Sequence, residues 1–455
     1  MTATDSTPTT ALRPRDYGLL LFLCGLLFFV GLGRGELWRT EGLRGLVARA
    51  MFDSGDWVVP RLFGQPHFAK PPGFYIAVVV CSLPFGEVTE LSARLPSAIA
   101  ATLCVLIFAS YFGRRLGRRA GLAAGLILPM SLLWLDKSTA AEIDMLQVFW
   151  IATSIFCLLR AVDDPDPRWW LPALLCVAAG FLTKWTAPQF FYFFAVPYLA
   201  CRGRLRELVR WPHLVSLTLA VLVSLSWIVL AIGRTDRQTF LTTVLQESLP
   251  RFLPTHYERD FSLLEAILLP AKFWASLLPW SLPALLALRP TFAARLDVPA
   301  RRLLVAMHCW LWPSLGFWML ANEHAPRHSF PLAPAVAGFA VLVWHAWDTG
   351  RLGPVRWLRP MPFLAAACAL WLTVKIGFVG VVVPLRADER QARSIGERLA
   401  TLVPKGSAIH HNLRNCDESL LFYCRRLVVR HPSIETLPRP DATYWFVRQA
   451  DWNEA

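Results

Sequence analysis

Apolar runs of membrane-spanning length recur from Tyr17 to Val383, with short arginine-bearing segments between them. A helix needs about 20 apolar residues to cross roughly 30 Å of hydrocarbon, because each residue rises about 1.5 Å. A chain built this way is a polytopic membrane protein. Its mean hydropathy of +0.42 and its 17% of charged residues, against about a quarter in soluble domains, exclude an ordinary soluble globule. The net charge of +14 does not point to nucleic acid, since the arginines fall in short blocks between apolar runs. That is the distribution of cytoplasmic loops.

Spans are expected near 17–32, 95–113, 120–135, 145–162, 169–183, 187–200, 212–232, 266–288, 303–321, 330–347 and 361–383. The segment Gly73–Phe85 is too short to cross and is read as dipping into the outer interface. Five arginine-bearing loops then fall inside: 114–119, 160–168, 202–210, 289–302 and 351–359. Outside fall Glu41, Lys70, 136–144, Lys184, 233–262 and 322–328, with the tail after Val383. Arg13 and Arg15 hold the N-terminus inside, and the first run lacks a small-residue cleavage site, so it reads as an anchor. The expected fold is an all-α polytopic unit over 1–383, with its first outer loop at 33–94. A small α/β unit over 384–455 follows it.

The first outer loop is LWRTEGLRGLVARAMFDSGDWVVPRLFGQPHFAKPP. Leu43, Leu46, Val47, Ala50 and Met51 recur at helical spacing, so 39–53 is an amphipathic helix on the outer surface. Glu41 in its first turn is spaced to pair with Arg44. Lys70 precedes two prolines and is held extended, either for a ligand or as a snorkelling lysine. Glu142 and Asp144 stand at the start of an apolar run, where carboxylates are costly unless used or paired, with Lys137 the near partner. Lys184, Arg251, His256, Arg259, His324, Arg327 and His328 add basic groups to the other outer loops.

Carboxylates among many cations on one face suit a cavity that receives a phosphate-bearing lipid and deprotonates an acceptor. No P-loop, GxGxxG, HExxH, CxxC or nucleophile elbow occurs, so nucleotide-driven chemistry has no support. Most of the 10 cysteines lie in or beside apolar runs as packing residues. Cys416 and Cys424 lie in the tail, where an oxidising outside permits a disulfide; the alternative is two thiols in a small core.

The order of SGDWVVPRLFGQPHFAKPPGFY, RLPSAIAATLCVL, GFLTKW, LPWS and RHSFPLAPAVAG resembles the ArnT/PMT-like integral membrane glycosyltransferases of family 39/83. The resemblance runs over nearly the whole chain. It implies the GT-C fold, with about 11–13 transmembrane helices plus juxtamembrane helices. It also implies transfer of a sugar from a polyprenyl-phosphate carrier to a lipid, glycan or protein hydroxyl at the periplasmic face of a bacterial inner membrane. By the same resemblance Lys70 contacts the carrier phosphate, while Lys184 and Arg327 match basic family positions; these three, with Arg44, His256, Arg259 and His324 from the outer loops, are the candidate carrier-binding cations. Asp144 matches an acidic position. Two departures stand out: Thr40-Glu41 replaces an Asp-Glu pair, and Ala69 replaces an acid before the lysine. The base is then Glu41, Glu142 or Asp144. A divalent metal is left open, and no other cofactor is implied. The rivals are a lipid-linked sugar flippase or transporter and a non-catalytic relative. Against transport, few charges lie mid-span, Lys375 being the clear one.

Overall fold

The computed structural model describes residues 11–248, 261–353, 359–411, 417–431, 434–437 and 444–447. Helix α1 (Pro14–Cys24) starts on a proline, which suits a first helical position, and runs on through a π-turn at Gly25–Phe29. The first outer loop follows. It holds α2 (Glu41–Ser54), a two-stranded hairpin of β1 (Arg61–Leu62) and β2 (Gln65–Pro66), and α3 (Gly73–Ser82).

Next come α4 (Glu90–Leu116), α5 (Arg118–Ile127), α6 (Leu132–Ser138), α7 (Ile143–Asp163), α8 (Trp170–Thr183), α9 (Ala187–Cys201) and α10 (Trp211–Arg234). The bundle ends with α11 (Arg237–Ser248), α12 (Leu263–Ser276), α13 (Ser281–Ala284), α14 (Val298–Met319), α15 (Ala333–Asp348) and α16 (Pro360–Gly377). A second π-turn, Phe378–Val382, carries α16 into α17 (Val383–Arg390).

The chain is a mostly α-helical polytopic protein, as its apolar runs require. In hydrocarbon every backbone N–H and C=O must find an internal partner, which leaves the helix as the local solution. Among the described residues five helices are long and apolar enough to cross, or six if the bent pair α5 and α6 is one span. Others fall short of a straight crossing, such as α8 with 14 residues and α9 with 15. Two expected spans are interrupted. The run 120–135 breaks into α5 and α6 with a bend of 72°. The run 266–288 stops as a helix at Ser276 and resumes as short turns. Helix α3 and its trailing turn at Leu83–Phe85 remain too short to cross, as the sequence indicates. Helices α7 and α15 lie inside the bundle, whereas α10 and α16 turn apolar faces outward.

After α17 come α18 (Ala392–Leu402), β3 (Ala408–His411), α19 (Glu418–Cys424), β4 (Leu427–Arg430) and β5 (Tyr444–Phe446). The three strands form a parallel sheet in the order β4-β3-β5. This α/β tail docks on α2, so α2 is covered on two sides rather than lying on an open surface. The Leu37 N–H donates to the Tyr423 hydroxyl at 2.8 Å, and Arg390 donates to the Leu37 carbonyl at 3.1 Å. Arg49 donates to the Phe422 and Val88 carbonyls, with its guanidinium 3.7 Å from the Phe422 ring centre. Gly42 makes the approach possible, because a Cβ there would come within 2.4 Å of the Ser419 backbone nitrogen.

Gly42→Ala is therefore expected to lift the tail from α2 and lower stability by about 1–3 kcal/mol, the usual range for overpacking. Limited proteolysis of the purified protein should show faster cleavage beyond residue 384; an unchanged digestion pattern would contradict the packing argument.

Candidate active site

Glu41 opens α2 and points into the bundle rather than along its own helix. Arg94, one turn into α4, donates through Nε to Oε1 at 2.8 Å and through an Nη to Oε2 at 2.9 Å. The Ala141 N–H reaches Oε1 at 2.7 Å and the Trp38 N–H reaches Oε2 at 2.7 Å. The remaining Arg94 donors go to the carbonyls of Leu32, Arg34 and Glu36 at 3.0, 2.9 and 2.8 Å. Burial alone would raise the Glu41 carboxyl, but the Arg94 charge and these hydrogen bonds outweigh it. The group is held below its usual carboxylate range.

Two further carboxylates follow from the turn between α6 and α7. Glu142 is paired through one oxygen with Lys137, while its other oxygen lies 3.3 Å from the Thr40 hydroxyl. Asp144 accepts from Lys184 at 2.7 Å. Lys184 follows the last residue of α8 directly. Gly73 is pressed onto the carbonyl of Leu182, where a Cβ would meet it at 2.7 Å, so the Lys70 loop runs beside this segment. Lys70 itself is buried and donates to the Ala69 carbonyl at 2.8 Å. Near Lys184, Glu323 lies 3.0 Å from both Arg327 and His328.

A cavity of about 100 Å³ borders this band. Glu41, Arg94, Thr139 and Glu142 form one side of it, and Lys375 and Arg386 the other.

The profile of the family described as "Dolichyl-phosphate-mannose-protein mannosyltransferase" matches residues 69–227. The chain is 27% identical over 385 residues to the undecaprenyl phosphate-alpha-4-amino-4-deoxy-L-arabinose arabinosyl transferase of Pectobacterium carotovorum, covering 80% of this chain and 66% of that one. It is 28% identical over 225 residues to the protein of that name from Pseudomonas savastanoi, covering 47% and 41%. The chain thus spans less than two thirds of the length of these relatives. The crystal structure of ArnT from Cupriavidus metallidurans bound to undecaprenyl phosphate superposes with a TM-score of 0.73 at 18% identity, over 91% of this chain and 85% of that one.

The chain is ArnT/PMT-like, with the GT-C fold.

Its several apolar helices and its bacterial relatives make it a multi-pass protein of the bacterial inner membrane. In this ArnT/PMT-like chain, Glu41, Glu142, Asp144, Lys184 and Arg327 belong to one connected band of charges, with Lys70 on the adjoining loop. The expected Glu41–Arg44 pair is not formed. Arg44 turns the other way and donates to the Tyr75 hydroxyl. His324 stays beside the band, its Nε2 3.1 Å from the Met319 carbonyl and its ring against Phe261. His256 and Arg259 lie outside the described residues. So does Cys416, and with it the Cys416–Cys424 pairing; Cys424 is buried in the tail's small core.

Arg94 is the residue that sequence reasoning passed over. Its signal was an arginine at the head of the apolar run RLPSAIAATLCVL, where a charge needs a partner. The donor chemistry also bears on the metal that the resemblance left open. Hard divalent cations take several free oxygen ligands, yet each of the three carboxylates already holds its own cation. Among the described residues no group of three or more His, Cys, Asp or Glu is placed to hold an ion. The described residues do not fit such a site.

Glu41→Gln leaves the Arg94 charge buried and unmatched, so it is expected to cost about 3–5 kcal/mol. Differential scanning calorimetry in detergent should show it, and an unchanged Tm would refute the assignment. Because the folded Glu41 titrates below its unfolded value, its stabilisation is complete above the ordinary glutamate pKa of about 4.3. That stabilisation is lost as pH falls through the folded value, and the variant should lack this acid-side loss.

Proposed function

We propose that this protein transfers a sugar from a polyprenyl-phosphate carrier to an acceptor hydroxyl on a lipid, glycan or protein. The observation that carries the reading is the gathering of Lys184 and Asp144, Glu142 and Lys137, and Glu41 and Arg94, with the Lys70 loop packed beside the Lys184 segment through Gly73. They come from five separate segments, and the relatives named above are transferases of a polyprenyl-phosphate-linked sugar.

Lys70, with Lys184 and Arg327, receives the carrier phosphate. Fixed cations at that point favour charge building on the leaving phosphate. Of the three candidate carboxylates, Glu41 has both oxygens doubly bonded, so its part is to position the loop. Asp144 is committed to Lys184. Glu142 gives one oxygen to Lys137 and the other to the Thr40 hydroxyl, and unlike Asp144 it lines the cavity, so it is the general base in this reading. The acceptor oxygen forms its bond to the anomeric carbon as the carbon–phosphate oxygen bond breaks. Glu142 takes the hydroxyl proton, and the single displacement inverts the anomeric centre.

The arginine distribution supports an orientation with the N-terminus inside and the band, cavity and 384–455 unit outside. Over 384–455 the parallel sheet and its two helices act as a separate small domain clamped to the first loop.

Purified protein supplied with a radiolabelled polyprenyl-phosphate sugar should give product of inverted configuration. Lys70→Ala and Glu142→Gln should each lower turnover by about 10²-fold or more while retaining a cooperative melt. Full activity in both variants would overturn the assignment.

A further inference from the structure

Opposite the carboxylate band the cavity is closed by the last long helix, and this wall has no part in the transfer just described. A second, more open hollow of about 370 Å³ continues it, sharing Arg34, Glu36, Val379, Val383 and Ala387. Two contacts fix the wall. At Gly31 (φ +74) a Cβ would come within 2.4 Å of Val379, and at Gly35 (φ +73) within 2.4 Å of Val383. Val379 sits in the π-turn after α16, and α1 carries the other π-turn at Gly25–Phe29. Such turns are rare and concentrate at functional sites.

Lys375 lies one turn before Val379 and lines the cavity, with only 3% of its surface exposed. Among the described residues it has no ion-pair or hydrogen-bond partner, and the Arg94 guanidinium lines the same cavity. An isolated buried cation within a span is costly and marks a ligand or an ion path. Arg34 and Arg39 stand beside it, and Arg386 lies 5.1 Å from the ring centres of both Trp38 and Phe378.

The carboxylates around the cavity do not answer these charges. Glu36 accepts the Ala392 and Arg393 N–H groups at 3.0 and 2.7 Å. Glu41 is held by Arg94, Glu142 by Lys137, and Asp136 is 3.4 Å from Lys137. The outer face of α16 and its continuation exposes Leu370, Val374, Ile376, Val381 and Leu385, apolar side chains suited to acyl chains. We propose that the cleft between α1 and α16 binds the phosphoryl group of an anionic lipid headgroup at Lys375, with Arg34, Arg39 and Arg386 around it. This site is separate from the carrier phosphate at Lys70.

The test measures binding and thermal unfolding in detergent with dioctanoyl phosphatidic acid, inorganic phosphate and dioctanoylglycerol. Phosphatidic acid should bind wild type and the Lys70→Ala variant alike, and bind Lys375→Met more weakly by on the order of tenfold or more. Dioctanoylglycerol should not bind. Inorganic phosphate binding as tightly as the lipid, with the same loss in Lys375→Met, supports a phosphoryl site filled from solution. Without ligand, Lys375→Met should melt at or above the wild-type temperature, since an unmatched charge has been removed. A lower melting temperature, equal lipid binding in Lys375→Met, or loss of binding in Lys70→Ala would each overturn the proposal.

Discussion

The bond between Glu41 and Arg94 governs how the rest of the protein is put together. Its side chains are 4% and 7% exposed, so both charges have left water. A buried pair of this kind returns little net stability, because desolvation cancels most of the attraction. What it contributes is position. Arg94 gathers the carbonyls of Leu32, Arg34 and Glu36, and Glu41 takes the N–H groups of Trp38 and Ala141. The exit of α1, the start of α2, the wall of α4 and the turn before α7 are thereby fixed to one another. The α/β tail then builds on the same stretch of chain. Glu36 caps the N-terminal N–H groups of α18, and Leu37 joins Tyr423 and Arg390.

Much of this architecture was legible because hydrocarbon permits so few backbone solutions. The apolar runs became helices, and the period of Leu43, Val47 and Met51 did mark α2. The KPP stretch and the acidic turn at 142–144 stand out in the sequence; Gly73 packs on Leu182, and Lys184 two residues on holds Asp144. What could not be read was partnership. Glu41 and Arg44 satisfy the spacing rule for neighbours on a helix, but Glu41 faces inward and Arg44 faces Tyr75. Arg94 is 53 residues away, and no local period links the two. The interrupted runs escaped for a related reason. Hydropathy averages over 120–135 without registering that α5 and α6 meet at 72°, since buried surroundings can satisfy a broken backbone that lipid could not. Docking of the tail on α2 was equally invisible. Glycine weakens a helix, and Gly42 and Gly45 have their reason in the close approach of Ser419 and Phe422.

The three carboxylates share a pattern that decides which of them can do chemistry. Each has one cation, so the band carries little net charge despite its density. A general base must keep an oxygen available to the proton it takes. By that measure Glu41 is exhausted; Asp144 and Glu142 each give one oxygen to a lysine, and of the two it is Glu142 that lines the cavity. Thr40 stands where the family resemblance leads one to expect an aspartate. A neutral hydroxyl there donates to Glu142, where an aspartate would bring a second negative charge beside it.

A neutralised band also explains how the two sets of cations can work independently. Two unit charges about 10 Å apart interact by roughly 1.7 kcal/mol at an effective dielectric constant of about 20. Two anionic groups brought together in this protein would repel by that order unless something between them were polarised or charged. Lys375 and its arginines line the cavity that Glu41 and Glu142 border, and neither Lys70 nor Lys184 is among the residues lining it. Internally paired carboxylates add no net negative charge between the two sites. Each anion would therefore meet its own cations without the band adding to the repulsion. Lys375 fits this arrangement only as an open position. Methionine would fill the same space in α16 without the cost of a buried charge, so a lysine held there unmatched makes physical sense when its partner arrives from outside the chain.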